Sequence, residues 1–134
     1  MAGPALIVHR YVDAFNRKDS LDLAKCFAPL GFIIDETPPH VWSGPLATRE
    51  WLDAIIGSKE YASYSEIKIT LGTLYYRPST PTAIYCTVAA TMDYVLQGQR
   101  RIEAGSICSV VLHKIEQQWL IAAWAWARGL SNAI

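Results

Sequence analysis

The side chain best suited to chemistry in this sequence is an acid that directly follows an apolar run. Phe32, Ile33 and Ile34 precede Asp35, and the segment PPHVW (38–42) follows it. A carboxylate at the edge of an apolar pocket can act as a general base if a substrate proton comes within hydrogen-bond reach. The same pattern also fits an acid at the end of a strand that simply emerges into water. The residues alone leave both interpretations of Asp35 open.

Several further residues are candidates for binding a substrate near this acid. His40 lies in the PPHVW loop and can shuttle protons at a pocket mouth, although a loop histidine can equally be only solvated. Trp42, Trp51 and Trp126 suit a core or an interface, and some of them can also form an apolar pocket wall. Asp93 adds a second acid if its strand face borders the pocket, and is otherwise a surface residue. We therefore take these five residues as candidate substrate-binding residues.

The cysteines and histidines do not have the spacing of a metal site. Cys26, Cys86 and Cys108 are far apart and form no CxxC pair, and the three histidines do not cluster with acids. We interpret the cysteines as small buried core residues. This pattern favours a reduced, cytoplasmic protein, and we expect neither a metal nor another cofactor.

Length and composition indicate a single domain over residues 1–134. Hydrophobic residues make up 51% of the chain and charged residues 18%, which supports a substantial core and an apolar cavity or subunit interface. Twelve basic residues balance twelve acidic ones, so the basic patch of a nucleic-acid-binding protein is not expected. We also expect no membrane span and no signal peptide, because the apolar runs are too short.

Helical patterns dominate the first part of the chain. Residues 4–17 carry an apolar stripe at helical spacing, with Tyr11 on it, and Pro4 suits the first turn. Ser20 is predicted to cap a short second helix that includes Phe27 and ends at Pro29 and Gly31. A short strand over 31–35 and a third helix follow. That helix opens at 43–45, turns Trp51, Leu52, Ile55 and Ile56 inward, and stops at Gly57.

Strand patterns dominate the rest. Apolar and polar residues alternate over 67–71, 83–96 and 101–115, and the segment 77–81 is predicted to break the chain. The last strand, WLIAAWAWARG (119–129), is nearly free of charge and is predicted to be buried on both faces. Its alternation places Leu120, Ala122, Trp124, Trp126 and Arg128 on one face and Ile121, Ala123 and Ala125 on the other.

This order of elements predicts an α+β domain. Three N-terminal helices would pack on one face of a strongly curved antiparallel sheet. A curved sheet that wraps a helix leaves a conical space, and such spaces bind small molecules.

With these elements in place, the sequence resembles the nuclear transport factor 2-like superfamily, which includes SnoaL-like polyketide cyclases and ketosteroid isomerases. The resemblance is carried by RYVDAFNRKDSLDLAKCFAP, by the short strand that ends in Asp35, by WSGPLATREWL and by WLIAAWAWA. It implies a cone-shaped, cystatin-like α+β barrel with a deep pocket for a small apolar molecule. It also implies a homodimer built on the outer sheet face.

The ketosteroid isomerase branch is the more similar, since the spacing from Arg10 to Leu52 matches without a gap. That resemblance implies two catalytic residues: Tyr11 as a hydrogen-bond donor to a substrate oxyanion, and Asp35 as the base. From the residues alone, Tyr11 is equally a core tyrosine on the apolar stripe. One part of the family pattern is missing, because no acid occurs near Val110 or Val111, where that enzyme has a second oxyanion donor. Loss of one such donor typically costs about 10²–10³-fold in rate.

Three functions follow as hypotheses. The first is a cofactor-free isomerase, cyclase or dehydratase that acts on an apolar carbonyl compound by proton transfer. The second is a ligand-binding or dimerisation module without catalytic activity, supported by the missing second donor. The third is a protein-interaction domain that uses the apolar last strand, for which self-association is the preferred form.

Overall fold

A computed structural model describes residues 3–58 and 62–133 of the chain. Within these residues, three helices and the strands of one sheet account for most of the chain. The elements are α1 (Pro4–Asn16), α2 (Ser20–Lys25), β1 (Phe27–Ile34), β2 (Val41–Ser43), α3 (Ala47–Ile56), β3 (Tyr64–Thr80), β4 (Ala83–Leu96), β5 (Gln99–Ile115), β6 (Gln118–Ala127) and β7 (Leu130–Ala133).

The sheet has the order β2-β1-β6-β5-β4-β3, and β7 pairs with the first part of β5. All pairs are antiparallel except one, because β1 runs parallel to β6. The expected α+β class is confirmed, whereas the all-antiparallel sheet is wrong in this detail. The sheet is also open rather than a closed barrel, since β2 and β3 lie at its two ends.

The helices form for the reasons that the sequence suggests, with small shifts at their ends. Ile7, Tyr11 and Phe15 recur at helical spacing and are all buried on the inner side of α1. The cap of α2 is Asp19 rather than Ser20, because the Asp19 side chain accepts a hydrogen bond from the Asp22 backbone at 3.0 Å. In the described part of the chain no helix is long and apolar enough to cross a membrane.

Three predicted boundaries are wrong. Strand β1 begins at Phe27, so Pro29 and Gly31 lie inside a strand instead of ending the second helix. Helix α3 begins at Ala47, later than predicted, and Ile56 on it is 43% exposed rather than turned inward. Strand β3 continues through the predicted break at 77–81 as far as Thr80. Strand β3 is at the edge of the sheet. An edge strand tolerates a proline such as Pro78, because the N–H that a proline lacks can face away from the neighbouring strand.

A bulge in β6 changes the predicted faces in the first part of the last strand, whereas Trp124, Trp126 and Arg128 share a face as predicted. Val111 pairs with Ala123 while the adjacent Leu112 pairs with Ile121, so Ala122 is an extra residue in β6. The bulge brings Ile121 onto the same buried inner face as Trp124. Leu120 therefore does not share a face with Trp124. The outer face of β6 is half-buried in the single chain, so the predicted burial of both faces depends on a partner subunit.

Two hydrogen bonds connect the C-terminus of α1 to strand β3. The Asn16 side chain, at the C-terminus of α1, donates to the Ile69 carbonyl at 2.9 Å and accepts from its N–H at 2.8 Å. Both bonds cross from α1 to β3, so they fix the distance between helix and sheet edge. The inner faces of both layers meet in one core.

Candidate active site

A cavity of about 290 Å³ opens between the helices and the inner face of the sheet. Its walls are mostly aromatic and aliphatic, with a few polar groups at one side. The apolar lining consists of Phe15, Pro38, Trp51, Ile55, Tyr64, Ile69, Met92, Trp124 and Trp126. The polar lining consists of Asp35, Glu36, Thr37, Ser58, Glu103 and Arg128. An apolar space with few polar groups is typical of small-molecule sites.

Asp35 lies in the wall of this cavity, directly after the end of β1. Its Oδ2 accepts a hydrogen bond from Trp51 Nε1 at 2.8 Å, and its Oδ1 accepts one from the Glu36 backbone N–H at 2.6 Å. The Asp35 N–H donates to the His40 carbonyl at 3.0 Å, which closes the loop between β1 and β2. The carboxylate is half-buried and held at both oxygens. Such a group is positioned to exchange a proton with a molecule in the cavity.

Tyr11 lies one layer deeper and does not belong to the cavity lining. Its ring packs against Trp124, Phe27 and Trp51, with centroid distances of 4.2, 5.3 and 5.9 Å. Its hydroxyl is buried and has no hydrogen-bond partner among the described residues. Burial, with the nearby charge of Asp35, raises the Tyr11 pKa well above its usual value, so the hydroxyl keeps its proton.

The predicted substrate-binding residues divide into two groups. Trp51 and Trp126 line the cavity with Asp35. Trp42 is buried beside Ile33 but does not line the cavity, and His40 is exposed, with its Nδ1 3.2 Å from the Asp35 carbonyl oxygen. Asp93 pairs with Ile102 and alternates with the inward Met92, so it lies on the outer face of the sheet.

Sequence reasoning missed a charged cluster at the polar side of the cavity. Glu103 on β5 is almost fully buried, and its Oε2 accepts from Arg128 Nε at 3.2 Å. Its Oε1 accepts a hydrogen bond from Ser106 Oγ at 3.0 Å. The Ser106 Oγ in turn accepts a hydrogen bond from the Gly129 N–H at 3.0 Å. The Arg128 guanidinium also lies 3.5 Å from the Tyr64 hydroxyl.

A bulge at Gly105 explains why Glu103 points inward. Ala90 pairs with Ser106 and Met92 pairs with Glu103, so three steps along β5 match two along β4. Gly105 has a positive φ of 80°, a conformation that glycine adopts without strain. Ser106 and Glu103 are consequently both buried on the inner face, although simple alternation would separate them. The glycine inside a strand pattern was the available signal.

The cysteines are free and buried, as predicted from their spacing. Burial raises the pKa of Cys26 to about 11 and that of Cys108 to about 12, so both thiols stay protonated at neutral pH. Among the described residues, no three His, Cys, Asp or Glu side chains are grouped to hold a metal ion.

Comparisons with known proteins agree on the fold. No family model matches the chain, and no curated protein is significantly similar to it in sequence. The hexachlorocyclohexane dehydrochlorinase LinA-type3 from Novosphingobium barchaimii has a TM-score of 0.80 at 8% identity, covering 96% of this chain and 85% of that one. A candidate scytalone dehydratase from Novosphingobium aromaticivorans has a TM-score of 0.77 at 11% identity, covering 97% and 84%.

A ketosteroid isomerase-like protein from Erwinia carotovora atroseptica is similar over a comparable length. Its TM-score is 0.74 at 13% identity, and the match covers 93% of this chain and 92% of that one. These structures have the nuclear transport factor 2-like fold. The present chain therefore has the cone-like α+β fold of that superfamily, and the resemblance found in the sequence is confirmed at the level of fold.

Proposed function

We propose that this protein is a cofactor-free enzyme that moves a proton next to the carbonyl group of an apolar small molecule. Isomerisation, cyclisation and dehydration all begin with this step. The observation that carries the proposal is the Asp35 carboxylate, held by Trp51 and by the Glu36 N–H in the wall of a mainly apolar cavity. Solved structures that share the fold include proteins named as a dehydrochlorinase and as ketosteroid isomerase-like, and both names describe reactions that move a proton, which supports proton transfer as the chemistry.

In the proposed step, Asp35 takes a proton from the carbon beside the carbonyl. The electron pair of that C–H bond forms a C=C bond, and the carbonyl oxygen takes the negative charge. Return of the proton to another carbon gives an isomer, and loss of a leaving group from the β carbon gives an elimination product. Trp51 serves this step by fixing one carboxylate oxygen, which leaves the group in a defined orientation.

The experiment needs no knowledge of the natural substrate. We expect the wild-type protein to accelerate hydrogen–deuterium exchange at the α carbons of 2-tetralone in D₂O, measured by NMR. Asp35→Asn should lower this rate at least about 10²-fold, since an amide cannot take the proton. The control is Asp53→Asn, the same change at an exposed site on α3. Equal rates for wild type and Asp35→Asn would refute the assignment of Asp35.

A non-catalytic binding module is the second candidate. It is favoured by the position of Tyr11, whose ring packs against Trp51 and Trp124 and does not line the cavity, and by the absence of an acid at Val110. A protein of this kind would be stabilised against heat by 2-tetralone but would not accelerate exchange. Both measurements use the same ligand, so they separate the two candidates.

For the assembly, we propose a homodimer formed through the outer face of the sheet. Phe32 and Ile34 on β1, Tyr85 on β4 and Ile107 on β5 lie on this face and are each between 41% and 52% exposed. Strand β6, between β1 and β5, contributes Ala123 and Ala125. Exposed apolar side chains on several strands of one face favour association with a second copy. Light scattering at micromolar concentration should give the mass of a dimer.

A matched pair of variants tests the face that forms this contact. Phe32→Glu should give a monomer, because it buries a charge in the interface. Leu21→Glu should leave the dimer intact, since Leu21 is 76% exposed on α2, on the helical side. A monomeric wild-type protein would refute the proposal.

A further inference from the structure

We infer that Arg128 binds the substrate oxygen that becomes negative when Asp35 removes the proton, and that the substrate is a neutral carbonyl compound. This inference rests on the proposed function. It adds the positively charged group that stabilises the negative oxygen in the proposed step. Arg128 directly follows β6 and lines the same cavity as Asp35. Its Nη1 lies 3.9 Å from Glu36 Oε2, so the guanidinium is next to the residue that follows the proposed base. A small molecule in the cavity can therefore contact both.

The contacts of Arg128 hold it in one orientation. Glu103 Oε2 accepts from Nε at 3.2 Å, and Ser106 and the Gly129 N–H complete a chain of hydrogen bonds behind that carboxylate. A buried ion pair is a poor way to gain stability, because apolar residues of the same size often stabilise as well or better. Its location in a cavity wall favours a role in placing the guanidinium.

The charges of the lining argue for a neutral substrate. Three carboxylates and one guanidinium contribute to the described lining, so an anionic ligand would meet net negative charge on entry. A neutral ketone or aldehyde avoids that penalty. When its proton moves to Asp35, one negative charge moves from the carboxylate to the oxygen, and the total charge in the cavity is unchanged. Arg128 then binds the charged oxygen more strongly than the original carbonyl, which lowers the barrier.

Binding of 4-nitrophenolate tests this role without any turnover. Its aromatic ring and ionised oxygen imitate the enolate, and its absorbance reports binding. The titrations use Asp35→Asn protein, since a neutral side chain at this position imitates Asp35 after it has taken the proton. Adding Arg128→Gln should weaken 4-nitrophenolate binding at least about tenfold, and Arg128→Lys should retain part of the affinity. Nitrobenzene, which lacks the ionised oxygen, should bind all variants within about twofold.

The part of Glu103 is tested by Glu103→Asp, which keeps the charge but draws the carboxylate back from Arg128 Nε. We expect 4-nitrophenolate binding to weaken severalfold, with nitrobenzene binding unchanged. In the exchange assay, Arg128→Gln should lower kcat for 2-tetralone by about 10²–10³-fold and leave KM nearly constant.

Two results would overturn the inference. One is an equal loss of nitrobenzene and 4-nitrophenolate binding in Arg128→Gln, which would indicate packing alone. The other is unchanged 4-nitrophenolate binding. Failure of the proposed function is a different result, since exchange would then be insensitive to Asp35→Asn whatever the binding data show.

Discussion

Replacing Arg128 by Gln should destabilise the protein more than replacing Glu103 by Gln, although the two residues form one ion pair. The asymmetry follows from exposure. The Glu103 side chain is 2% exposed, whereas the Arg128 side chain is 35% exposed. Without Arg128, a buried carboxylate keeps the Ser106 hydroxyl but loses its countercharge. Without the Glu103 charge, Arg128 is still partly in water and near Glu36.

The expected magnitudes differ accordingly. Removal of one partner from a buried ion pair costs about 3 kcal/mol when the remaining charge is buried. We therefore expect Arg128→Gln to lose about 3 kcal/mol of the free energy of unfolding. Glu103→Gln should lose only about 1 kcal/mol, because its amide oxygen can still accept the hydrogen bond from Arg128 Nε and no charge is left buried. The double variant should lose less than Arg128→Gln alone, since it leaves no unpaired buried charge.

Urea unfolding at pH 7, followed by tryptophan fluorescence at one protein concentration, measures all three values. An equal loss in the two single variants would refute the argument from exposure. A double variant that is less stable than Arg128→Gln would refute it as well. In that case Glu103 would still stabilise the fold without Arg128, so an unpaired buried charge could not be the cause of the loss in Arg128→Gln.

Three further predictions concern the surroundings of the site. Tyr11→Phe should keep or raise the stability towards urea, by up to about 1 kcal/mol, because the hydroxyl that it removes is buried and has no hydrogen-bond partner within residues 3–58 and 62–133; a clear loss would reveal a bond to that hydroxyl. Asp22→Asn should lower the Tm at pH 7 but not at pH 2, because the hydrogen bond from Arg10 lowers the Asp22 pKa in the folded protein. The stability that the Asp22 carboxylate contributes is therefore present above the unfolded pKa of about 3.9 and is lost as the pH falls through the folded pKa. An equal difference in Tm at both pH values would contradict this. The three cysteines should react with a thiol reagent at pH 8 only after unfolding in guanidinium, because burial raises their pKa values; rapid labelling of the native protein would show that they are accessible.

The fold was predictable where a periodic pattern runs without interruption. The apolar stripe through Ile7, Tyr11 and Phe15 defines α1, and the alternation over 83–96 defines β4 with its observed bounds. The pattern failed where one residue shifts the register. Alternation through Ala122 placed Leu120 beside Trp124, and only pairing with β5 reveals the extra residue. Short-range patterns contain no information about the partner strand, so bulges of this kind need the three-dimensional structure.

The residues of the candidate site also divide into those that the sequence predicts and those that need the three-dimensional structure. Asp35, Trp51 and Trp126 line the cavity, and each occurs at the end of an element or within an apolar pattern that the sequence displays. Glu103 and its ion pair with Arg128 were not predicted, because their proximity depends on the bulge at Gly105 and on the pairing of distant strands. The depth of Tyr11 was not predictable either. The helical stripe gives the direction of its side chain, whereas the tryptophans that cover it come from α3 and β6.

The bulge at Gly105 also gives a reason for the missing acid near Val110. Val110 pairs with Trp124, and both are buried in the apolar part of the core. A carboxylic acid there would need a partner that this part does not offer. The bulge instead turns Glu103 inward several residues earlier, where Arg128 can pair with it. If Arg128 receives the substrate oxygen, the substrate lies with its oxygen towards the end of β6 and its apolar body against the tryptophans. Tyr11 then contributes by supporting that wall, and the polar end of the cavity is defined by one glycine in β5.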